Sequence, residues 1–130
     1  MPRLAEGLEN EGGRVRGWKQ AERRIAAMLG GERVPVSGRG RGFAPDIEHP
    51  ALAVEVKTRA SLPAWIEDAM RQAEAAAEVD ARYFDLPRKT PVTVLHNGRK
   101  PYRDALVLIR LSEFSEMVRE LERNPDRKAG

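Results

Sequence analysis

The stretch 44–57 constrains this chain more than any other. Ala51, Ala53, Glu55 and Lys57 alternate with Leu52, Val54 and Val56, the period of two that a β-strand imposes. His49-Pro50 supplies a turn, so the arm that opens at Pro45-Asp46 folds back on this strand and the stretch is expected to be a β-hairpin. Glu55 and Lys57 then share one face, and Asp46 lies beside Glu55. Two adjacent carboxylates repel unless a cation sits between them, and oxygen donors suit a hard divalent ion, Mg²⁺ first, with Mn²⁺ as its substitute. An ammonium two residues beyond the second carboxylate can steady a phosphate or a metal-activated water, as phosphodiester hydrolysis requires. The alternative is a charged hairpin on a solvated edge.

The surroundings bear on that choice. Between residues 14 and 59 stand ten basic side chains against five acidic ones, and three of those five, Glu22, Asp46 and Glu55, are the candidate ligands. A basic surround about an acidic centre suits a polyanion held over a metal. With no Cys, the chain has no disulfide, thiolate zinc site or cysteine nucleophile, and its two His leave little for zinc. At 130 residues, 41% hydrophobic and 33% charged, the chain is expected to form one domain with one modest core. No run approaches the apolar length of a membrane span, and the first six residues lack the apolar segment of a secretory signal. An intracellular, cytoplasmic protein without membrane contact is therefore expected. Internal repeats, a Walker-type glycine loop and a Ser-His-Asp arrangement are all missing from the sequence.

Residues 1–13 read as a flexible acidic segment and 125–130 as a flexible tail, leaving 14–124 as the domain. Helical spacing of Trp18, Ala21, Ile25, Met28 and Leu29 predicts a first helix over 14–29, stopped by Gly30-Gly31. Glu22 falls on that apolar stripe, where an unpaired carboxylate is costly. A salt bridge to an arginine, an edge position reaching water, or a metal ion can compensate it. A short strand over 33–36 precedes Ser37-Gly38-Arg39-Gly40-Arg41-Gly42. Glycines let backbone approach a phosphate and the two arginines supply charge, so this segment is either a DNA clamp or an ordinary surface loop.

A second helix is predicted over 63–79, with Trp65, Ile66, Ala69, Met70, Ala73 and Ala76 on its inner face. Both tryptophans are assigned to the core. Val92, Val94 and His96 alternate with Thr93 and Leu95 before the hairpin signal Asn97-Gly98, with His96 at the strand's surface end. The nearly continuous apolar run 104–111 predicts a strand covered on both faces. Ser112 is expected to cap a last helix carrying Phe114, Met117, Val118 and Leu121.

Pro45-Asp46, eight intervening residues and then Glu55-Val56-Lys57 resemble the PD-(D/E)XK nuclease motif, in which the Asp and the Glu ligate metal and the Lys assists the attacking water. Val36-Ser37-Gly38 before the hairpin, and Glu22 before that, are similar to the archaeal-type Holliday-junction resolvases. The resemblance covers roughly residues 15–110 and implies an α/β, restriction-endonuclease-like core: a mixed central sheet flanked by helices, in the order αβββαββα. It implies Mg²⁺ held by Asp46, Glu55 and the Val56 carbonyl with Glu22 near or on the metal, and Lys57 on the water. Ser37, Arg39, Arg41, Arg59 and Gln72 become DNA-binding residues, although a surface role for Gln72 stands equally. The gap between Asp46 and Glu55 is short for the family, and the first 14 residues have no counterpart in it. The expected function is a homodimeric, metal-dependent endonuclease that resolves four-way junctions. A restriction, repair or flap nuclease on the same core, or a DNA-binding module that no longer cuts, are the alternatives.

Overall fold

A computed structural model of the chain describes residues 9–10, 14–15, 17–35, 44–124 and 126. The elements run β1 (Glu9–Asn10), β2 (Arg14–Val15), α1 (Trp18–Leu29), β3 (Glu32–Arg33), β4 (Ile47–Glu48), α2 (Ala64–Tyr83), β5 (Thr93–Leu95), a 3₁₀ turn (Tyr102–Asp104), β6 (Leu106–Leu108) and α3 (Leu111–Arg123). This is a small mixed α/β protein with short antiparallel strand pairs. From α1 onward the alternation of helices and strands follows the expected order, except that the third strand is reduced to a single bridging residue, Val54.

The described strands form only antiparallel pairs, β1 with β2, β3 with β4 and β5 with β6. The mixed central sheet is not among them. Pro45 and Pro50 bracket β4 and Pro91 stands two residues before β5, and a residue without an N–H cannot extend a ladder. The segment before α1 also departs from expectation. Glu9–Asn10 pairs with Arg14–Val15 as a hairpin where a loose segment and a helical turn were expected. The expectation rested on the lack of apolar periodicity in this segment, a signal that says nothing about a short ladder between polar residues.

Two compact units are present. One comprises the described residues up to Ser61 and from Val118 onward; the other is Leu62–Met117. In the first, Gly30 takes φ 77° after α1. Gly30 N–H donates to Ala27 O at 3.4 Å and Gly31 N–H to Ala26 O at 2.9 Å, the Schellman closure that consumes two orphan carbonyls. The chain turns straight into β3, which pairs with β4 in the register Glu32↔Glu48 and Arg33↔Ile47. Ile47, fully buried, and Ala26 and Leu29 form the centre of this unit.

In the second unit α2 is longer than expected, because no breaker occurs before Tyr83 and Arg82 pairs with Glu78 at 2.8 Å. Its inward face is shifted by about one residue from the sequence reading. Met70 and Ala77 are buried, Ile66 and Ala73 half-buried, while Ala76 is exposed and Trp65 is 58% exposed, not core. Thr93 Oγ1 donates to Ala69 O at 3.1 Å, tying β5 to this helix. The register Thr93↔Leu108, Val94↔Val107, Leu95↔Leu106 leaves a ribbon of two strands. β6 is consequently not covered on both faces: Leu106 and Val107 are exposed, since two strands offer one covered face at most here. Arg110 reaches back to Glu74 and Glu67 of α2; hydrogen bonding to Glu74 is the largest cause holding its guanidinium above the ordinary arginine range, ahead of Glu67. α3 starts at Leu111, which places Ser112 inside its first turn, not at its cap.

Candidate active site

The strand carrying Glu55 shows the alternation read from sequence. Leu52, Val54 and Val56 are half-buried, while Ala51, Ala53, Glu55 and Lys57 are exposed. Glu55 and Lys57 thus share the solvent face. Asp46 is opposite in kind, 3% exposed. Both Asp46 N–H (2.9 Å) and Ile47 N–H (3.3 Å) donate to Val54 O, two residues facing one, which is the pattern of a β-bulge. The bulge interrupts the ladder before Val56, and the Asp46 side chain takes the vacated role: its Oδ2 accepts Val56 N–H at 2.7 Å. Asp46 is therefore fastened to the backbone between Glu55 and Lys57, through a charge-assisted hydrogen bond. Val34 N–H donates to Asp46 O at 2.9 Å, which fixes the other side of the arm.

Glu22 is 1% exposed on α1, and its compensation is an arginine. Arg33 Nε donates to Glu22 Oε1 at 2.8 Å, and the same guanidinium lies 5.4 Å from the centroid of the half-buried Trp18 ring. Lys19 Nζ approaches that ring at 5.5 Å. Arg33 is the residue that sequence reading missed; the signal was a buried acid on α1 followed by a strand bearing an arginine, with no local periodicity to connect them.

Arg59 is exposed and its Nη1 donates to Thr58 O at 2.9 Å. Gln72 is exposed on α2 and belongs to the other unit. Ser37, Arg39 and Arg41 lie outside the described residues. Among the described residues, no three His, Asp or Glu side chains are grouped closely enough to hold a metal ion. The structure thus brings Asp46 to the Glu55–Lys57 strand and Glu22 to Arg33, without drawing the three carboxylates into one cluster.

His49 departs from a simple turn residue. Its side chain is fully buried and its Nδ1 accepts Ala51 N–H at 3.0 Å, which leaves Nε2 to carry the ring proton in the neutral form. Nε2 stands 3.3 Å from Glu122 Oε1 but is not aligned for a hydrogen bond. This ring braces the turn between the two arms of the hairpin. Comparison of the chain with protein-family models, with curated proteins and with solved structures returns no match.

Proposed function

We propose that the protein is a metal-dependent endonuclease of the PD-(D/E)XK kind, acting on four-way DNA junctions as a homodimer. The observation that carries this reading is the fastening of Asp46 to Val56 N–H at 2.7 Å, which holds a buried carboxylate in fixed register with the exposed pair Glu55 and Lys57. Asp46, Glu55 and the Val56 carbonyl are oxygen donors of the type Mg²⁺ takes. Glu22 joins that set only by giving up its pairing with Arg33. A divalent ion held there would supply Lewis-acid chemistry at the scissile phosphate and activate a water. Lys57 orients that water from the solvent face of the strand, while Arg59 and the arginines Arg39 and Arg41 attract the DNA backbone.

A second reading, a DNA-binding module that does not cut, draws on a specific observation: Glu22 and Asp46 both already serve protein donors. Incubation with synthetic four-way junction, linear duplex and flap DNA, each with Mg²⁺ and with EDTA, separates the two. Paired Mg²⁺-dependent nicks in the junction are expected. Asp46→Asn, Glu55→Gln and Lys57→Ala should each abolish cutting and leave junction binding within a few-fold, since removing a carboxylate does not weaken phosphate attraction and Lys57 is one of ten basic residues between 14 and 59. Glu55→Gln cutting at the wild-type rate would remove the metal site, and binding without any cutting would leave the second reading.

A further inference from the structure

The second unit carries a groove that the hairpin chemistry does not use. Its volume is about 730 Å³, and Trp65, His96, Asn97, Lys100, Asp104 and Leu106 line it. Trp65 is 58% exposed. His96 stacks on Tyr102, ring centroids 4.6 Å apart and tilted by 31°, and the far side of Tyr102 is open, the residue being 84% exposed. Asn97 shapes this end of the ribbon: its carbonyl accepts Lys100 N–H at 2.9 Å and its side chain accepts Arg99 N–H at 3.0 Å. His96 Nε2 lies 2.9 Å from Lys100 O, which pins the ring. Aromatic faces left in water beside a concavity mark a binding surface more than a packing accident.

The charges decide what kind of ligand fits. In this unit Arg71, Arg82, Arg88 and Arg110 each pair with a carboxylate. Lys100 lines the groove, and Arg99 and Arg103 are its neighbours in sequence; all three are exposed and none is ion-paired with a described carboxylate. Three uncommitted cations next to flat aromatic surfaces complement a chain of phosphates carrying flat bases. Asp104 at the groove wall opposes phosphate but accepts an N–H from the edge of an unpaired base, thymine N3–H included. An acidic protein segment would satisfy the cations and leave the ring faces unused.

We propose that this groove binds an unpaired stretch of nucleic acid, with bases stacked on Trp65 and on the His96–Tyr102 pair and phosphates against Arg99, Lys100 and Arg103. The site goes beyond the nuclease reading and does not depend on it. Titration of the 130-residue chain in EDTA with a fluorescein-labelled oligothymidine of about 12 nucleotides, followed by anisotropy, tests it. Tyr102→Ala should weaken binding roughly tenfold or more, as loss of a stacking partner does. Replacing Arg99, Lys100 and Arg103 together by Ala should flatten the log–log salt dependence by about two units, at about 0.7 per phosphate on a single strand. An abasic oligomer of the same length, which loses the stacking on Trp65 as well, should bind wild type more weakly than thymidine oligomer binds Tyr102→Ala. Asp46→Asn should bind like wild type, so that failure of the nuclease reading leaves this result standing. Tyr102 is largely exposed, and an unchanged thermal transition by circular dichroism would show its variant folded. Equal binding of abasic and thymidine oligomers, or wild-type affinity in Tyr102→Ala, would overturn the proposal. So would a mass that falls from dimer to monomer in Tyr102→Ala with no oligonucleotide bound, since the groove would then hold a second copy.

Discussion

Glu22 and Arg33 decide between structure and chemistry at the scale of single side chains. The pair is nearly dry, with side-chain exposures of 2% for Glu22 and 13% for Arg33. Removing one member strands the other in a medium that solvates it poorly, which costs about 3 kcal/mol or more, whereas replacing both by apolar groups of similar volume is often close to neutral. Arg33→Met should therefore lower the urea midpoint strongly, and Glu22→Leu combined with Arg33→Met should recover most of the loss. Cutting separates the roles. If Glu22 serves the metal, the double variant folds and does not cut; if Glu22 only balances Arg33, the double variant recovers both stability and activity. Burial of Glu22 was legible in the sequence because the residue falls on an apolar helical stripe. Its partner was not, because a contact across eleven residues from helix to strand follows no period.

The turn from α1 into β3 is the junction of elements on which the candidate site rests, and Gly31 makes it possible. A Cβ there would meet Glu48 O at 2.5 Å and Ile47 Cγ2 at 2.9 Å. The first contact is backbone and cannot rotate away, so Gly31→Ala must push β4 from β3, at a cost of about 1–3 kcal/mol by the scale of overpacked sites. β4 adjoins Asp46, so the same substitution should reduce junction cutting more than junction binding; a variant as stable as wild type would show that the strands separate freely. Gly30, by contrast, meets nothing at its Cβ but has φ +77°, so its requirement is conformational. The glycine pair was readable as a helix stop, and the alternation of 51–57 as the order of exposed and half-buried side chains, although the expected strand is reduced to the bridge of Val54 with Ile47. Less was legible where tertiary packing sets the outcome. The inward face of α2 moved by one residue because alanines on neighbouring positions give no contrast by which periodicity can choose between them. β6 looked like a fully covered strand because its apolar run names no partner, and among the described residues only β5 pairs with it.

At the scale of the whole molecule the proposed substrate sets the stoichiometry. A four-way junction needs two cuts related by two-fold symmetry, and a chain with one metal centre makes one. Two copies joined about a two-fold axis place the centres symmetrically, through the same patch on each copy. The C-terminal end of α2 offers such a patch. Val79 and Tyr83 stand four residues apart and so share a face of the helix, Phe84 follows them, and the three are 43–73% exposed with no charge among them. An uncharged, self-complementary face is covered at least electrostatic cost by another like it. Light scattering at micromolar protein should therefore give twice the 14.6 kDa mass of the chain. Val79→Lys places an ammonium at the patch, where two like charges would face each other across the axis, and should give a folded monomer with an unchanged circular-dichroism spectrum. That monomer should nick junctions singly and lose paired resolution. A wild-type protein that stays monomeric with and without junction DNA would be incompatible with resolution by two symmetric centres, and would move the assignment to a flap or repair nuclease, for which one cut suffices.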